Sequence, residues 1–350
     1  HIPGYSTQFQ EKLAAELQLP VRSSRYKEIH LVDKNYPELD LGVLRIKRML
    51  NKDQSREMLF YEMTWSAITN PEKEKLKYDT SGAYSFRRAD VNQMLKEFSN
   101  DTSPDPMIYL GKSKEVILAS FRTAFCWMLG HDWNALPDYS DSECHIGPEA
   151  IKYLPSDEYA IVSHSLGSRI VMDGMHSLAQ LMAKVEKGEL PQIEANLDEN
   201  FITAFQQKSI PFYLMSNQLP LLEMGEEPPE VVNQQEKYCV VGSENYQQRL
   251  VNKTSIIAFS DPNDLLSYAI PQHFAENNLD SRLCAEITNI NVNVAHVIDM
   301  FGFGKFANPL TAHTGYDSDD RVVALIANGV GGNNTSQVVN DRCVWTEFVD

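Results

Sequence analysis

A serine, a pair of aspartates and a histidine, in that order along the chain, have the types and spacing for acyl-transfer chemistry. Ser165 lies in Ser163-His164-Ser165-Leu166-Gly167-Ser168. Asp261 and Asp264 lie in Phe259-Ser260-Asp261-Pro262-Asn263-Asp264-Leu265-Leu266, and His313 in Asn308-Pro309-Leu310-Thr311-Ala312-His313-Thr314-Gly315-Tyr316. A serine hydroxyl is a weak nucleophile at neutral pH and needs a base to take its proton as it attacks a carbonyl. His313 would be that base, with an aspartate fixing its tautomer and stabilising the imidazolium. The tetrahedral oxyanion then needs two preorganised N–H donors, each worth about 3 kcal/mol of barrier.

The flanking residues put each of these groups at a strand end. Glu158 to Val162 reads as a buried strand, while Leu166, Ile170, Val171, Met175, Leu178, Leu181, Met182 and Val185 recur at helical spacings of three and four. Gly188 and Pro191 supply the stop. Ser165 therefore sits on a strand-to-helix turn, where crowding requires small residues at 163 and 167. A plain helix N-cap is the bland role for Ser163 or Ser165 alone. Thr254 to Phe259 reads as a second buried strand, broken by Pro262, so both aspartates fall in the loop beyond it. One of the two is expected to form only an Asx turn. His313 follows a strand-like run, Ile287 to Val294, and precedes a helix signal at Val322, Val323, Leu325 and Ile326. A flexible loop is expected to carry it. His296 competes for the role but is expected to pack or cap.

The turn at Ser165 resembles the nucleophile elbow of the α/β-hydrolase superfamily, with Ser163 in place of the usual first glycine and Gly167 as the second. The order Ser165, Asp264, His313 is also that superfamily's. Asn263-Asp264-Leu265-Leu266, followed by Tyr268 and Pro271, resembles the aspartate loop of its lipase-like members. This favours Asp264 as the acid, with Asp261 as the alternative. A tyrosine three residues after the histidine is similar as well. The resemblance implies a mostly parallel central sheet flanked by helices and an acyl-enzyme mechanism. Leu166 N–H would be one oxyanion donor, and a His-Gly segment after an early strand would supply the other. His1-Ile2-Pro3-Gly4-Tyr5-Ser6-Thr7 is similar to a stretched form of that segment and points to Gly4 and Tyr5; an ordinary disordered terminus is the plainer alternative. A strand ahead of His1 would follow, so the sequence is expected to begin inside the domain. Leu59 to Ser66 is similar to the strand before the elbow strand in several bacterial members.

One α/β domain over residues 1–350 is expected. The roughly one hundred residues between Trp65 and the elbow exceed a simple crossover, so residues 66–150 are expected to hold a helical cap or lid, including the apolar run Val116 to Leu129. Arg122 and its length keep that run from being a membrane span. The Met300-Phe301-Gly302-Phe303-Gly304 stretch would either line an acyl pocket or form a core turn. With 350 residues, 43% of them apolar, the chain can bury a substantial core. Its net charge of −17 argues against nucleic acid and anionic membranes as partners. Five cysteines without short paired spacing point to buried thiols rather than a disulfide framework. His131, Asp132, Cys144 and His145 match no zinc spacing, so neither metal nor cofactor is expected. The expected activity is cleavage of a small-molecule or lipid carboxylic ester. An acyltransferase, thioesterase or peptidase would use the same triad, and a non-catalytic binding protein on this fold would keep the elbow as a relic.

Overall fold

The computed structural model describes residues 3–22, 25–76, 88–190, 199–299, 304–330 and 346–349. The strands assemble into two main sheets. In the first, Val21–Arg22 (β1), Lys27–His30 (β2), Val43–Leu50 (β3), Glu57–Thr64 (β4) and Tyr139–Ser140 (β5) associate around β3. β3 and β4 form an antiparallel hairpin from Val43↔Thr64 to Leu50↔Glu57. Its polar turn is tied by the Arg56 amide donating to Asn51 Oδ1 at 2.9 Å. β2 runs antiparallel to β3, and β5 pairs parallel with β2.

The second sheet carries the chemistry-bearing residues. Ile161–His164 (β6), Ser209–Met215 (β7), Lys253–Ser260 (β8) and Ala285–Val292 (β9) are parallel neighbours in chain order. Val297–Asp299 (β10) and Lys305–Ala307 (β11) form a separate antiparallel ribbon, and Thr346–Val349 (β12) closes the β9 edge antiparallel. The chain is thus a mixed α/β protein with a four-stranded parallel unit. Both faces of that unit are covered, which is why its central strands β7 and β8 read as continuous apolar runs. Ile210, Phe212, Leu214, Ile256 and Ala258 share a core with helices Lys114–Gly130 and Gly167–Glu186. Their alternates Tyr213, Met215, Ile257 and Phe259 pack with Phe9 and Leu13 of helix Thr7–Glu16 and with Val322 and Leu325 of helix Asp320–Asn328.

Helices Lys114–Gly130 and Gly167–Glu186 meet at Gly174, where an added Cβ would lie 2.2 Å from Phe121 Cδ1. Phe121 is buried and stacked on Phe125, with ring centroids 5.6 Å apart, so it has little room to yield. Overpacking of this kind costs about 1–3 kcal/mol, which outweighs the roughly 1 kcal/mol that alanine gains over glycine in a helix. Gly174→Ala should therefore lower the urea midpoint; an unchanged or higher midpoint would mean that the two helices can move apart freely.

Two departures from the sequence reading concern cysteines and the cap. Cys126 is bonded to Cys144 and Cys239 to Cys284, where free thiols were expected. The pairs are 18 and 45 residues apart, so only the tertiary fold brings them together; Cys343 lies outside the described residues. The expected cap region is helical at Ser66–Lys73, Asp90–Thr102, Pro104–Ile108 and Lys114–Gly130, but it also contains β5, a strand of the first sheet. Residues 300–303 of the proposed acyl-pocket stretch are not among those described. Among the described residues, no helix is long and apolar enough to cross a membrane.

Candidate active site

Ser165 follows the last residue of β6 and adopts φ +56°. That left-handed conformation costs a non-glycine residue about 1 kcal/mol or more, and the surroundings hold it in place. Its N–H donates to Met215 O at 2.9 Å, and its carbonyl accepts from Ser168 N–H at 3.0 Å and Ser168 Oγ at 2.8 Å. A Cβ at Gly167 would lie 3.2 Å from Ser163 Cβ, which explains why both flanking positions are small. Leu166 opens the helix Gly167–Glu186, so its N–H is one of the orphan donors of a helix start.

Asp264 and His313 sit at the same carboxyl edge of the sheet. Asp264, in the loop after β8, has Oδ1 3.0 Å and Oδ2 3.2 Å from His313 Nδ1. Its Oδ1 also accepts from Leu266 N–H at 3.0 Å, and its Oδ2 from the Ser216 hydroxyl at 2.6 Å and the Tyr316 hydroxyl at 3.3 Å. Burial pushes the Asp264 carboxyl up, but the hydrogen bonds from His313 and Ser216 outweigh it and hold the group below the usual carboxylate range. Asp261 is built differently. Its carboxylate accepts from Asn263 N–H and Nδ2 at 2.8 and 3.0 Å and from Val294 and Ala295 N–H at 2.8 and 2.9 Å. It ties the end of β8 to the segment after β9. Of the two aspartates, Asp264 is the one that meets His313.

His313 is presented by a short helix, Pro309–Thr314, rather than by the flexible loop expected. Asn308 caps that helix, its Oδ1 accepting from Leu310 N–H at 2.9 Å, and Pro309 fills the first turn; Asn-Pro is a helix-start signature. The imidazole is 2% exposed. With Nδ1 on Asp264, Nε2 is the atom left to take a proton from an attacking hydroxyl. His164, next to the proposed nucleophile, donates from Nε2 to the His313 carbonyl at 2.6 Å, and the two rings are 5.0 Å apart. Phe98, from helix Asp90–Thr102, meets the His313 ring edge-to-face, with centroids 5.5 Å apart. His296 is exposed on the chain leading into β10, neither packed nor capping as expected.

Burial, and then the neighbouring His313, push His164 down to about 4. An ordinary histidine titrates near 6.5, so between those values the unfolded chain binds the proton that the folded chain refuses. Stability should fall as pH drops from about 6.5 towards 4. His164→Gln should flatten that stretch of the stability-pH curve in denaturant titrations; an unaltered slope would assign the acid sensitivity to another group.

The N-terminal segment lies beside the elements that carry His313. Helix Thr7–Glu16 packs on helix Asp320–Asn328 and on the turn Gly315–Ser318 that follows His313. Its amides, however, are used differently from the expectation. Glu62, 3% exposed in the middle of β4, accepts the Gly4 N–H, the Ser6 hydroxyl and, at 3.0 Å, the Ser6 N–H. A carboxylate gathers these donors because it compensates the positive end of the helix that starts at Thr7. Gly4 is therefore corrected from an oxyanion donor to part of an anchor, and Tyr5 lies between the two anchored amides.

Ser216, Tyr316, Phe98 and His164 were not assigned site roles from the sequence. Tyr316 alone carried a signal there, its spacing of three from His313. Ser216 fell within Ser209 to Gly225, a stretch that reads as a strand over Ile210 to Met215 and a candidate rim beyond it, and Phe98 at the end of a helix signal from Asp90, neither singled out by itself. Cys144 is consumed by its disulfide, and among the described residues no three His, Cys, Asp or Glu side chains converge as a metal site would require. No protein-family model matches the chain, and no characterised protein or solved structure matches it significantly.

Proposed function

We propose that this protein is a serine hydrolase of the α/β-hydrolase type that cleaves carboxylic esters through an acyl-enzyme. The observation that carries the reading is one sheet edge holding a left-handed serine turn after β6 and a buried His313–Asp264 pair whose Nδ1 is already engaged. A carboxylate on Nδ1 is what a general-base histidine needs, because it fixes the tautomer that leaves a lone pair on Nε2.

In this mechanism Ser165 Oγ attacks the ester carbonyl as His313 Nε2 takes its proton. The oxyanion is held by Leu166 N–H and by Tyr5 N–H. His313 returns the proton to the leaving alkoxide, which departs as an alcohol and leaves Ser165 acylated. Water then attacks the acyl-enzyme with His313 again as base, releasing the acid and restoring the serine. Phe98 would cover the imidazole from the cap side and limit the access of bulk water.

Stopped-flow hydrolysis of p-nitrophenyl esters of graded acyl length tests the reading. A burst of one nitrophenolate per protein molecule, absent from Ser165→Ala, is the expected result. Hydrolysis of every ester at the rate of Ser165→Ala would refute it.

A further inference from the structure

We propose that Ser216 is a fourth working member of this site, a positioning residue that fixes the Asp264–His313 pair. The proposal rests on the hydrolase reading above. Ser216 is the first residue past β7, fully buried, with φ +50°. Glycine enters that conformation without strain, whereas serine spends about 1 kcal/mol or more on it. A turn that needed only the backbone geometry would be better served by glycine, so the side chain is the feature being kept.

The hydroxyl has one proton, and the geometry shows where it goes. Ser216 Oγ is 2.6 Å from Asp264 Oδ2 and 2.9 Å from His313 Nδ1. The carboxylate is ionised and has no proton to give, so the hydroxyl proton points to Oδ2. Oγ then faces Nδ1 with lone pairs only, and Nδ1 must carry the hydrogen, shared between Oγ at 2.9 Å and Asp264 Oδ1 at 3.0 Å. The three groups close a triangle with a single consistent direction of donation. It excludes the tautomer with its proton on Nε2, which would have no lone pair for the attacking serine. It also restrains rotation of the imidazole, which a single carboxylate contact does less well. Asp264 is nearly inaccessible to solvent, so removing one of its donors leaves an uncompensated demand at the base of the site.

Ser216→Ala and Ser216→Gly, assayed side by side, separate this role from a backbone role. Both variants should lose about 10- to 100-fold in kcat with KM within twofold of wild type, and glycine should be no better than alanine. Wild-type kcat in Ser216→Gly, with a defect in Ser216→Ala only, would mean that the turn alone matters and would overturn the proposal. A second readout does not depend on turnover. The His313 Nδ1 proton should give a downfield NMR resonance in the wild-type protein that moves or broadens in Ser216→Ala. If the wild-type protein gives no nitrophenolate burst, the hydrolase reading fails, and this resonance still decides the contact: an unmoved signal in Ser216→Ala overturns it.

Discussion

Asp264→Asn should lower kcat by about four orders of magnitude while leaving the protein folded. The carboxamide matches the carboxylate in shape: with its oxygen towards Leu266 N–H, its nitrogen faces Ser216 Oγ, and that hydroxyl can rotate to accept from it. What changes is the partner of His313 Nδ1, 3.0 Å away. An amide N–H turned towards that nitrogen makes it an acceptor and moves the ring proton to Nε2, where it blocks general-base catalysis; a loss of this size follows from the wrong tautomer in comparable triads. Asp261→Asn should behave in the opposite way. One face of its carboxylate receives both Val294 and Ala295 N–H groups, and an amide nitrogen there would set donor against donor. Leaving buried donors unpaired costs about 1–3 kcal/mol, so this variant should be less stable and retain most of its kcat. Measured kcat and urea midpoints for the two variants check the assignment, and the reverse ranking would make Asp261 the catalytic acid.

The second large effect concerns the disulfides. Cross-links spanning 18 and 45 residues restrict the unfolded chain by loop-entropy terms of about 3 and about 4 kcal/mol respectively. A domain of ordinary stability has about 5–15 kcal/mol in total, so losing both bonds removes a large share. Paired Cys→Ser variants should each lower the urea midpoint, with Cys239/Cys284 the more damaging pair because it closes the longer loop and joins the helix Gln235–Cys239 to the start of β9. Equal midpoints with and without reductant would show that the bonds contribute nothing. Disulfides of this kind persist in oxidising compartments, so the protein should be most stable when produced there.

The parts of this molecule that were legible in the sequence are those governed by local rules. β7 and β8 were readable because strands buried on both faces give continuous apolar runs, whereas β6 begins at Ile161 and ends at His164, shifted from the expected Glu158 to Val162. The strand-to-helix turn at Ser165 was readable because its crowding forces small residues at 163 and 167. The helix Pro309–Thr314 carries an equally local signal in Asn308-Pro309, which the expectation of a flexible loop letting the imidazole reach both partners passed over. The disulfides, the Glu62 anchor and Ser216 were hidden for a different reason. Each depends on residues far apart in the chain: Ser216 is 48 residues from Asp264 and 97 from His313, and Glu62 is 58 from Gly4. Spacing rules do not reach that far. The same limit applies to Phe98, whose helix was expected but whose contact with His313 was not.

The central claim is that Ser165 is a nucleophile activated by His313. Incubation with a fluorophosphonate followed by peptide mass spectrometry addresses it directly, since phosphonylation requires an activated hydroxyl and no knowledge of the natural ester. The expected result is a single adduct on Ser165, abolished in Ser165→Ala and strongly slowed in His313→Ala. A folded wild-type protein that stays unlabelled, or an adduct on any other serine, would contradict it.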